Sequence, residues 1–383
     1  MIEHVRYWPK RVNFINIQNS HGLACDGYQH MPLRTGYDQA MAQRVSSLFA
    51  YAAPQDGQVV EVTATSMLVQ LADGTQEGVE LGRRFSVSAG ATIPHEIVTD
   101  VPEGFRFQRG HVLAWNSGWF MRNRFDPRSV IYKQACLFLT ALIDDSGTHE
   151  DSSGVSRKAT SRLSTNMTEI RTVFGRFDQK ISRLVREGDE VTADSILCTI
   201  EDPVTANSNL FSETSLDALR MMAAQTPRAK YSGRVEKVEV FYHGDKDDMS
   251  ETLAEIVTAA DRNRARRVKR LRLDEALTGA VSERVRINGT PLEIDNIAIV
   301  ISITHPIAAG VGDKSVFANQ MKTIIGRVFE GVHKTESGVE IDAIFGNMSI
   351  FNRVVLSPYI IGTTNSLLLT ISRRAAELYK GNA

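Results

Sequence analysis

Short apolar segments opened by glycine turns recur along this chain, and they constrain its fold more than any other feature. A turn at residues 55–57 precedes an apolar segment at 59–62, and a second apolar segment at 67–71 ends in another turn at 72–74. This alternation predicts a β-hairpin. The same turn-then-strand form recurs at 186–191 and at 231–235. We therefore expect a β-rich protein of the mixed α+β class, in which short strands build small β-barrels.

Three further apolar segments have the length of strands. Residues 133–143 and 296–304 are continuous apolar runs, as expected of strands buried on both faces. Residues 339–345 alternate between apolar and polar side chains, which is typical of a half-buried strand. The apolar context of residues 348–356 is also strand-like.

Two segments have helical spacing instead. The first begins at Ser250, a suitable N-cap residue, and its apolar side chains follow a helical period into a basic run that ends near Leu273. The second runs from about Asn365 to Lys380 and ends at Gly381, a residue that commonly follows a helix.

Cysteine usage and hydropathy exclude several classes of protein. Cys25, Cys136 and Cys198 are the three cysteines of the 383 residues, and they lie far apart with no CxxC pair. This spacing argues against a disulfide framework and against a zinc site. No segment approaches the roughly 20 apolar residues that span a bilayer, and the N-terminus lacks the apolar core of a signal peptide. We expect a soluble intracellular protein with no zinc and no membrane partner.

The basic residues are concentrated in one segment, although the net charge of the chain is −1. Residues 262–272 contain seven Lys or Arg side chains on the first predicted helix. Such a run can bind nucleic acid locally. It can equally be the solvated face of a helix, and the run alone does not decide between these readings.

Three local features carry side chains suited to phosphate chemistry. Glu150 and Asp151 are adjacent carboxylates on a polar loop, where they could share a divalent cation or its water shell. Lys314 follows a glycine turn and precedes Lys322 by eight residues, and long cations at strand ends can reach phosphates. Arg353 is an isolated cation in an apolar segment. Taken singly, an acidic pair by chance, an ordinary turn tripeptide and a snorkelling arginine are the more common explanations. No P-loop or dinucleotide-binding glycine motif is present.

Taken in order, these segments resemble the C-terminal half of the β subunit, the second-largest subunit of multisubunit DNA-dependent RNA polymerases. Residues 109–114 (RGHVLA) are similar to the family's RGDVLA, residues 148–152 (THEDS) to its NFEDA, and residues 312–314 with Lys322 to its GDK … NKG. The similar segments, in family order, are residues 34–38 with 56–60, 109–114, 135–143 with 148–152, 188–197 with 232–235, 299–303 with 312–314 and 322, and 339–342 with 352–353.

The resemblance implies a double-psi β-barrel built from both halves of the chain, interrupted by a flap-like module. It divides the chain into an N-terminal segment (1–50), a first barrel and hybrid-binding part with the acidic pair (51–164), the flap-like insertion with the basic helix (165–295), and a second barrel part with the lysines, the arginine and a C-terminal helix (296–383). Two departures put the loop conformation in doubt. Residues 315–321 replace the family's histidine and glycines, and Phe351-Asn352 replaces its Pro-Ser.

The family's roles can be placed on individual residues of this chain. Glu150 and Asp151 are expected to help hold the second, nucleotide-borne Mg²⁺, partly through water. Lys314 and Lys322 are expected to contact phosphates of the RNA 3′ end and of the incoming nucleotide, and Arg353 to neutralise the triphosphate. Within the flap-like insertion, nucleic-acid contacts are assigned to Arg266, Arg267, Lys269 and Arg270.

The resemblance also implies that other chains complete the enzyme. The family's DFDGD triad, which holds the principal Mg²⁺ on the β′-type subunit, is absent from this sequence, as is the N-terminal half of β. We therefore expect β′-type chains and an N-terminal β piece as partners, together with template DNA, RNA, NTPs and an initiation factor at the flap. Such splitting is similar to that in polymerases of giant bacteriophages, which implies host cytoplasm, a phage replication compartment or the virion as location. The alternatives are a non-catalytic β-like scaffold and a virion β-barrel protein.

Overall fold

A computed structural model describes residues 22–34, 36–88, 91–203, 224–282, 285–318, 321–353 and 356–381. Within these ranges the protein is β-rich with few helices, which confirms the expected mixed α+β class. The strands are β1 (Ala50–Ala52), β2 (Gly57–Val62), β3 (Ser66–Leu71), β4 (Gln76–Glu80), β5 (Gly82–Ser88), β6 (Ala91–Val98), β7 (Arg106–Phe107), β8 (Val112–Asn116), β9 (Phe120–Arg122), β10 (Val130–Tyr132), β11 (Thr140–Leu142), β12 (Ser152–Ser156), β13 (Thr165–Arg176), β14 (Lys180–Ser182), β15 (Glu190–Val191), β16 (Thr199–Glu201), β17 (Gly233–His243), β18 (Arg286–Ile287), β19 (Thr290–Pro291), β20 (Asn296–Ile307), β21 (Lys314–Phe317), β22 (Met321–Phe329) and β23 (Ala343–Phe345). The helices are α1 (Tyr37–Ala40), α2 (Arg157–Arg162), α3 (Glu251–Leu271), α4 (Asn347–Asn352) and α5 (Ser357–Gly381), with single 3-10 turns at Met41–Gln43 and Lys246–Asp248.

The largest sheet is organised around a long antiparallel ribbon of β13 and β20. Its strand order is β1-β8-β6-β13-β20-β17-β15, with β5 added beside β6. The ribbon pairs Thr165 with Ile307 at one end and Arg176 with Asn296 at the other. One face of β20 packs into a core that contains Ile299 and Ile301, and its other face packs into a second core around Val300. The strand is therefore buried on both faces, as its continuous apolar run predicts.

Residues 165–307 form a structural unit with its own interior. Both of the cores that sandwich β20 draw their buried members from this range alone. Because Thr165 and Ile307 are cross-strand partners, the unit leaves the rest of the chain and returns to it at adjacent points. The flap-like segment predicted at 165–295 lies within this unit, and its pairing strand continues to Ile307.

The predicted hairpin at 56–74 is present as β2 and β3, and it belongs to a four-stranded sheet of order β4-β3-β2-β7. Helix α3, predicted from Ser250, packs its C-terminal end against β4. Gly78 permits this approach, because a Cβ at that position would lie 2.6 Å from the Leu271 carbonyl oxygen. A glycine in β4 therefore lets the helix backbone contact the strand directly.

A five-stranded sheet is assembled from both halves of the chain. Its order is β11-β23-β12-β22-β21, in which β12 runs parallel to β22 and β11 parallel to β23. Val155, Ala159, Ile325 and Ala343 form its buried core. Strand pairing across the described ranges leaves each sheet open, with no closed ring. Strands from before residue 165 and from after residue 307 thus pair in a single sheet.

Several predicted elements differ from the structure. Residues 133–143 do not form a continuous buried strand. Only β11 pairs as a strand there, and residues 133–141 are half-buried. The reason is that remote side chains bind this backbone: the Asp342 carboxylate accepts from the Leu139 amide at 3.0 Å, and Arg162 donates to the Leu137 carbonyl at 2.8 Å.

The C-terminal region is more helical than expected. The segment around Arg353 is the short helix α4 and its C-cap, not a strand. The final helix begins at Ser357, earlier than the predicted Asn365, with Pro358 in its first turn, where proline is well tolerated. Of the predicted strand 339–345, only Ala343–Phe345 pairs as one. The helices that the structure describes include none long and apolar enough to cross a membrane.

Candidate functional site

The acidic loop and the lysine hairpin are joined by backbone pairing, although they lie far apart in the chain. Asp151 directly precedes β12, which pairs with β22. Its carbonyl oxygen accepts from the Ile324 amide at 2.9 Å and from the Thr323 hydroxyl at 2.7 Å, and Thr323 lies 172 residues away in sequence. The parallel pairing of β12 and β22 thus places the acidic pair at the edge of the lysine-bearing strand.

Arg353 connects the third segment to the other two. It is the C-cap of α4, and its side chain is only 13% exposed. The guanidinium donates to the Lys322 carbonyl oxygen at 2.8 Å and forms an ion pair with the Asp151 carboxylate, which is 73% exposed. Three segments that the sequence singles out separately therefore meet around one half-buried arginine.

The two lysines lie on the same face of the β21–β22 hairpin. Val316 pairs with Lys322, and Lys314 pairs with Ile324. This register makes the lysines diagonal neighbours, with Cα atoms about 7–8 Å apart. All four of these side chains are exposed. On the opposite face of β22, Met321, Thr323 and Ile325 are buried. The hairpin therefore presents two cations on one solvated surface.

The turn before Lys314 has a defined structure. Gly312 has a φ of 97°, which a residue with a side chain rarely adopts. The Asp313 carboxylate accepts from the Gly310 amide at 2.8 Å, and the Asp313 carbonyl accepts from the Ile325 amide at 2.9 Å. The start of β21, and with it Lys314, is thereby held in register against β22.

Glu150 completes the set of five predicted residues. It has a left-handed backbone conformation with φ of 53°, its carbonyl oxygen accepts from the Ser349 hydroxyl, and its side chain is exposed beside Asp151. Across the described ranges no three His, Cys, Asp or Glu side chains are grouped as in a protein-only metal site. Two exposed carboxylates match the share of ligands that proteins commonly give Mg²⁺ when substrate phosphates and water supply the rest.

Phe317, between the two lysines, has a packing role. Its ring lies 5.1 Å from that of Phe345. Met321, Phe345 and Ile350 form a buried cluster against which Phe317 packs. The altered loop thus anchors the hairpin on α4, which carries Arg353 at its end.

The four cations predicted on the basic helix fall into two pairs. Arg267 forms ion pairs with Glu80 and Glu275, and Arg270 forms one with Glu61. The pairs with Glu80 of β4 and Glu61 of β2 attach α3 to the four-stranded sheet. Arg266 and Lys269 are exposed, and no ion pair involves them in the described part of the chain. Only this second pair has its charge free for a ligand.

A cavity of about 500 Å³ lies elsewhere, and sequence patterns do not reveal it. Its aromatic walls include Phe49, Trp119 and Tyr132, and Lys133 lies among its polar lining residues. Trp119 stacks parallel to Tyr132 with ring centroids 6.1 Å apart. Burial lowers the pKa of Lys133 below its usual value. These residues come from separate segments, so no local motif marks the cavity.

A hydrogen-bonded chain of Ser86, His95 and Asn116 lines this cavity. Asn116 Oδ1 accepts from the Gly118 amide at 3.0 Å, so its Nδ2 donates to His95 Nδ1 at 2.9 Å. His95 Nε2 is then the protonated nitrogen and donates to Ser86 Oγ at 2.6 Å. Because this nitrogen already carries a proton, His95 cannot act as a general base toward Ser86. The resemblance to a serine-hydrolase triad is therefore superficial.

The cysteines are not placed for thiolate chemistry. Burial raises the pKa of Cys25 to about 12 and that of Cys136 and Cys198 to about 11. A thiol with such a pKa is almost fully protonated near neutral pH, and the thiolate is the reactive form. The five clustered charges remain the best candidate for a functional site.

Known proteins provide no family assignment for this chain. No protein-family profile matches the sequence, and no curated protein matches it. The functional conclusion therefore depends on the geometry of the five charged residues and on the order of the sequence motifs.

Proposed function

We propose that this chain is a β-type subunit of a multisubunit DNA-directed RNA polymerase, a nucleotidyltransferase that is active only in the assembled complex. The observation that carries the proposal is the convergence on Arg353. It contacts the Asp151 carboxylate, 202 residues away in sequence, and the Lys322 carbonyl, 31 residues away. The order of the sequence motifs groups the same three segments independently of these contacts.

The charges suit phosphodiester formation, in which positioning and charge neutralisation matter more than a protein nucleophile. In this proposal Lys314 and Lys322 bind phosphates of the RNA 3′ end and the incoming nucleotide as point charges. Arg353, which contacts the Lys322 carbonyl, neutralises the triphosphate after exchanging part of its contact with Asp151. The exposed face of the hairpin leaves both ammonium groups accessible to such anions.

Magnesium has a limited place in the proposal. Glu150 and Asp151 would hold the nucleotide-borne Mg²⁺ together with phosphate oxygens and water, and the principal Mg²⁺ would belong to the β′-type chain. When bound, Mg²⁺ supplies charge neutralisation at the reacting phosphates. The residues of this chain orient that charge, because the backbone of Asp151 is fixed by its bonds to β22.

A double-psi β-barrel is part of the same proposal. Two parallel pairs support it, β12 with β22 and β11 with β23, because each joins one strand from before the 165–307 unit to one from after it. The unit itself corresponds to the proposed flap, where an initiation factor would bind. Arg266 and Lys269 would contact nucleic acid there.

The proposal includes the partners that the resemblance implies. The chain would assemble with β′-type chains and an N-terminal β piece on template DNA, RNA and NTPs. The corresponding location would be the host cytoplasm, a phage replication compartment or the virion.

Lysine substitutions in the co-expressed, purified complex test the proposal. Lys322→Ala is expected to slow single-nucleotide addition on a preformed RNA–DNA scaffold by about 100-fold, a typical effect of removing one preorganised charge at a reacting group. Lys314→Ala is expected to act in the same direction. Lys334→Ala removes an exposed lysine of the same half of the chain and serves as the matched control.

Other outcomes identify the alternatives. Near-normal addition by both lysine variants would leave a non-catalytic β-like scaffold as the better explanation. Absence of any large-subunit partner, with the chain recovered in particles, would favour a virion protein. Nucleotide addition by the isolated chain would contradict the proposal, because the aspartate triad that holds the principal Mg²⁺ is expected on the β′-type chain.

A further inference from the structure

The C-terminal helix α5 exposes a row of large apolar side chains. Ile360, Leu367, Ile371 and Leu378 are each between 54% and 58% exposed. Every described residue from position 370 to 381 is exposed, so the second half of the helix projects from the body of the protein. Asn365 anchors the first half, because its side chain accepts from the Leu33 amide at 2.9 Å. The projecting half has no described segment of this chain packed against it.

The spacing of these side chains places them on one face. Steps of seven, four and seven residues correspond to nearly whole helical turns. The four side chains form a stripe about 27 Å long. A projecting helix with scattered apolar residues needs no explanation, but one with an aligned apolar stripe resembles half of a helix–helix interface.

The stripe continues to the proposed site. Leu356, Phe351 and Met348 are 68%, 61% and 56% exposed, and the Phe351 ring on α4 lies 6.5 Å from the Tyr359 ring in the first turn of α5. Helix α4 ends at Arg353, which contacts Asp151 and Lys322. The apolar surface therefore begins beside the five charges and leads away from them.

The charges on the helix indicate what can cover the stripe. Arg374 lies within it, between Ile371 and Leu378, and forms an exposed ion pair with Glu377 at 3.2 Å, so Arg373 and Lys380 leave the helix with a net positive charge. Helix α5 carries three basic residues and one acidic residue, Glu377. A second copy of this helix would bring two net-positive surfaces together in either orientation, which disfavours self-association. An amphipathic helix with acidic residues beside its apolar face complements both the stripe and its charge.

We propose that α5 docks such a helix from the companion chain that completes the site, the one bearing the acidic triad. This inference rests on the proposed function, because it names the partner of the same half-site. The apolar stripe supplies the contact area, and the net positive charge of α5 favours an acidic neighbour. Docking on α5 brings the companion chain close to the five charges, because α5 begins four residues after Arg353.

Affinity measurements with purified chains test the inference. Leu367→Ser with Ile371→Ser is expected to weaken binding of the companion chain by about 30-fold or more, from the apolar area of two half-exposed side chains. Val332→Ser with Val339→Ser is the matched control, because these residues are also apolar and exposed but lie outside the helix. A photo-crosslinking residue at Leu367 is expected to attach to an acidic amphipathic helix of the companion chain.

Three results would overturn the inference. The first is unchanged affinity of the stripe variant. The second is crosslinking of Leu367 to a second copy of this chain. The third is crosslinking to a non-helical or basic segment. Nucleotide addition by the wild-type complex is measured in parallel. If that complex is active while the stripe variant still binds normally, docking by α5 is wrong and the polymerase proposal stands. If no triad-bearing chain binds the wild-type protein, the polymerase proposal itself fails.

Discussion

Replacing Arg353 by methionine tests how the three segments of the site are held together. Methionine keeps most of the aliphatic stem and removes the guanidinium. The lost hydrogen bond to the Lys322 carbonyl comes from a charged, nearly buried donor and contributes about 1.5–3 kcal/mol. The lost ion pair contributes only about 0.2–1 kcal/mol, because its partner Asp151 is 73% exposed. The two together amount to roughly 2–4 kcal/mol.

Hydrogen exchange can measure this loss of free energy at the pairing of β12 with β22. The Ile324 amide donates to the Asp151 carbonyl at 2.9 Å, so its protection reports whether β12 and β22 remain paired. A loss of roughly 2–4 kcal/mol corresponds to exchange that is about 30-fold to 1,000-fold faster in the peptide that contains β22. Mass spectrometry of exchanged peptides resolves this difference without assuming two-state unfolding of a protein with several cores.

Arg327→Met provides the matched control. Arg327 pairs with Asp145 at 2.8 Å and links the same loop to the same strand, but both partners are substantially exposed. Its loss is expected to leave hydrogen exchange in the β22 peptide nearly unchanged. If Arg353→Met accelerates exchange no more than Arg327→Met does, Arg353 does not hold the segments together, and the reasoning from its burial is wrong.

Three further expectations concern other parts of the molecule. Burial, followed by the nearby cations Arg84 and Arg83, lowers the pKa of His95 below its usual 6.5, so the unfolded chain takes up this proton more readily than the folded chain. The free energy of unfolding should therefore fall as the pH drops below about 6.5, and thermal melts of His95→Gln should show a smaller decline. Asp261 is buried and accepts from Tyr242, Lys246 and the Gly279 amide, so Asp261→Ala should cost about 3 kcal/mol or more and accelerate hydrogen exchange in α3; an effect under about 1 kcal/mol would contradict the inference that these three bonds hold the helix. Arg266→Gln with Lys269→Gln should weaken nucleic-acid binding and reduce its salt slope by about 2, whereas an unchanged slope would assign this face to solvent.

Local patterns predicted the elements whose stability is decided locally. The β2–β3 hairpin follows from its glycine turns, and α3 from its cap and apolar period. Strand β20 was identifiable because each of its faces enters a separate core. In contrast, residues 133–143 are apolar but are held by remote side chains such as Asp342, which no local pattern reveals.

The contacts among the candidate site residues could not be predicted from the sequence. Five charged residues could be named from the order of motifs, but the contact between Arg353 and Asp151 depends on parallel pairing of strands from different halves of the chain. The helical conformation of the segment around Arg353 was missed because its apolar residues satisfy a strand pattern as well as a helical one. The aromatic cavity has no sequence signature, since Phe49 and Trp119 meet only in the folded chain.

The antiparallel ends of the 165–307 unit have a consequence for the order of folding. Strands β12 and β22 are far apart along the chain, and closing so long a flexible loop carries an entropic cost that slows their pairing. Once Thr165 and Ile307 are paired, the same two strands are separated by only short connections. The charged cluster should therefore appear late in refolding, after the ribbon. Substitutions in the cores of the 165–307 unit should delay formation of the charged cluster, although they contact none of its residues.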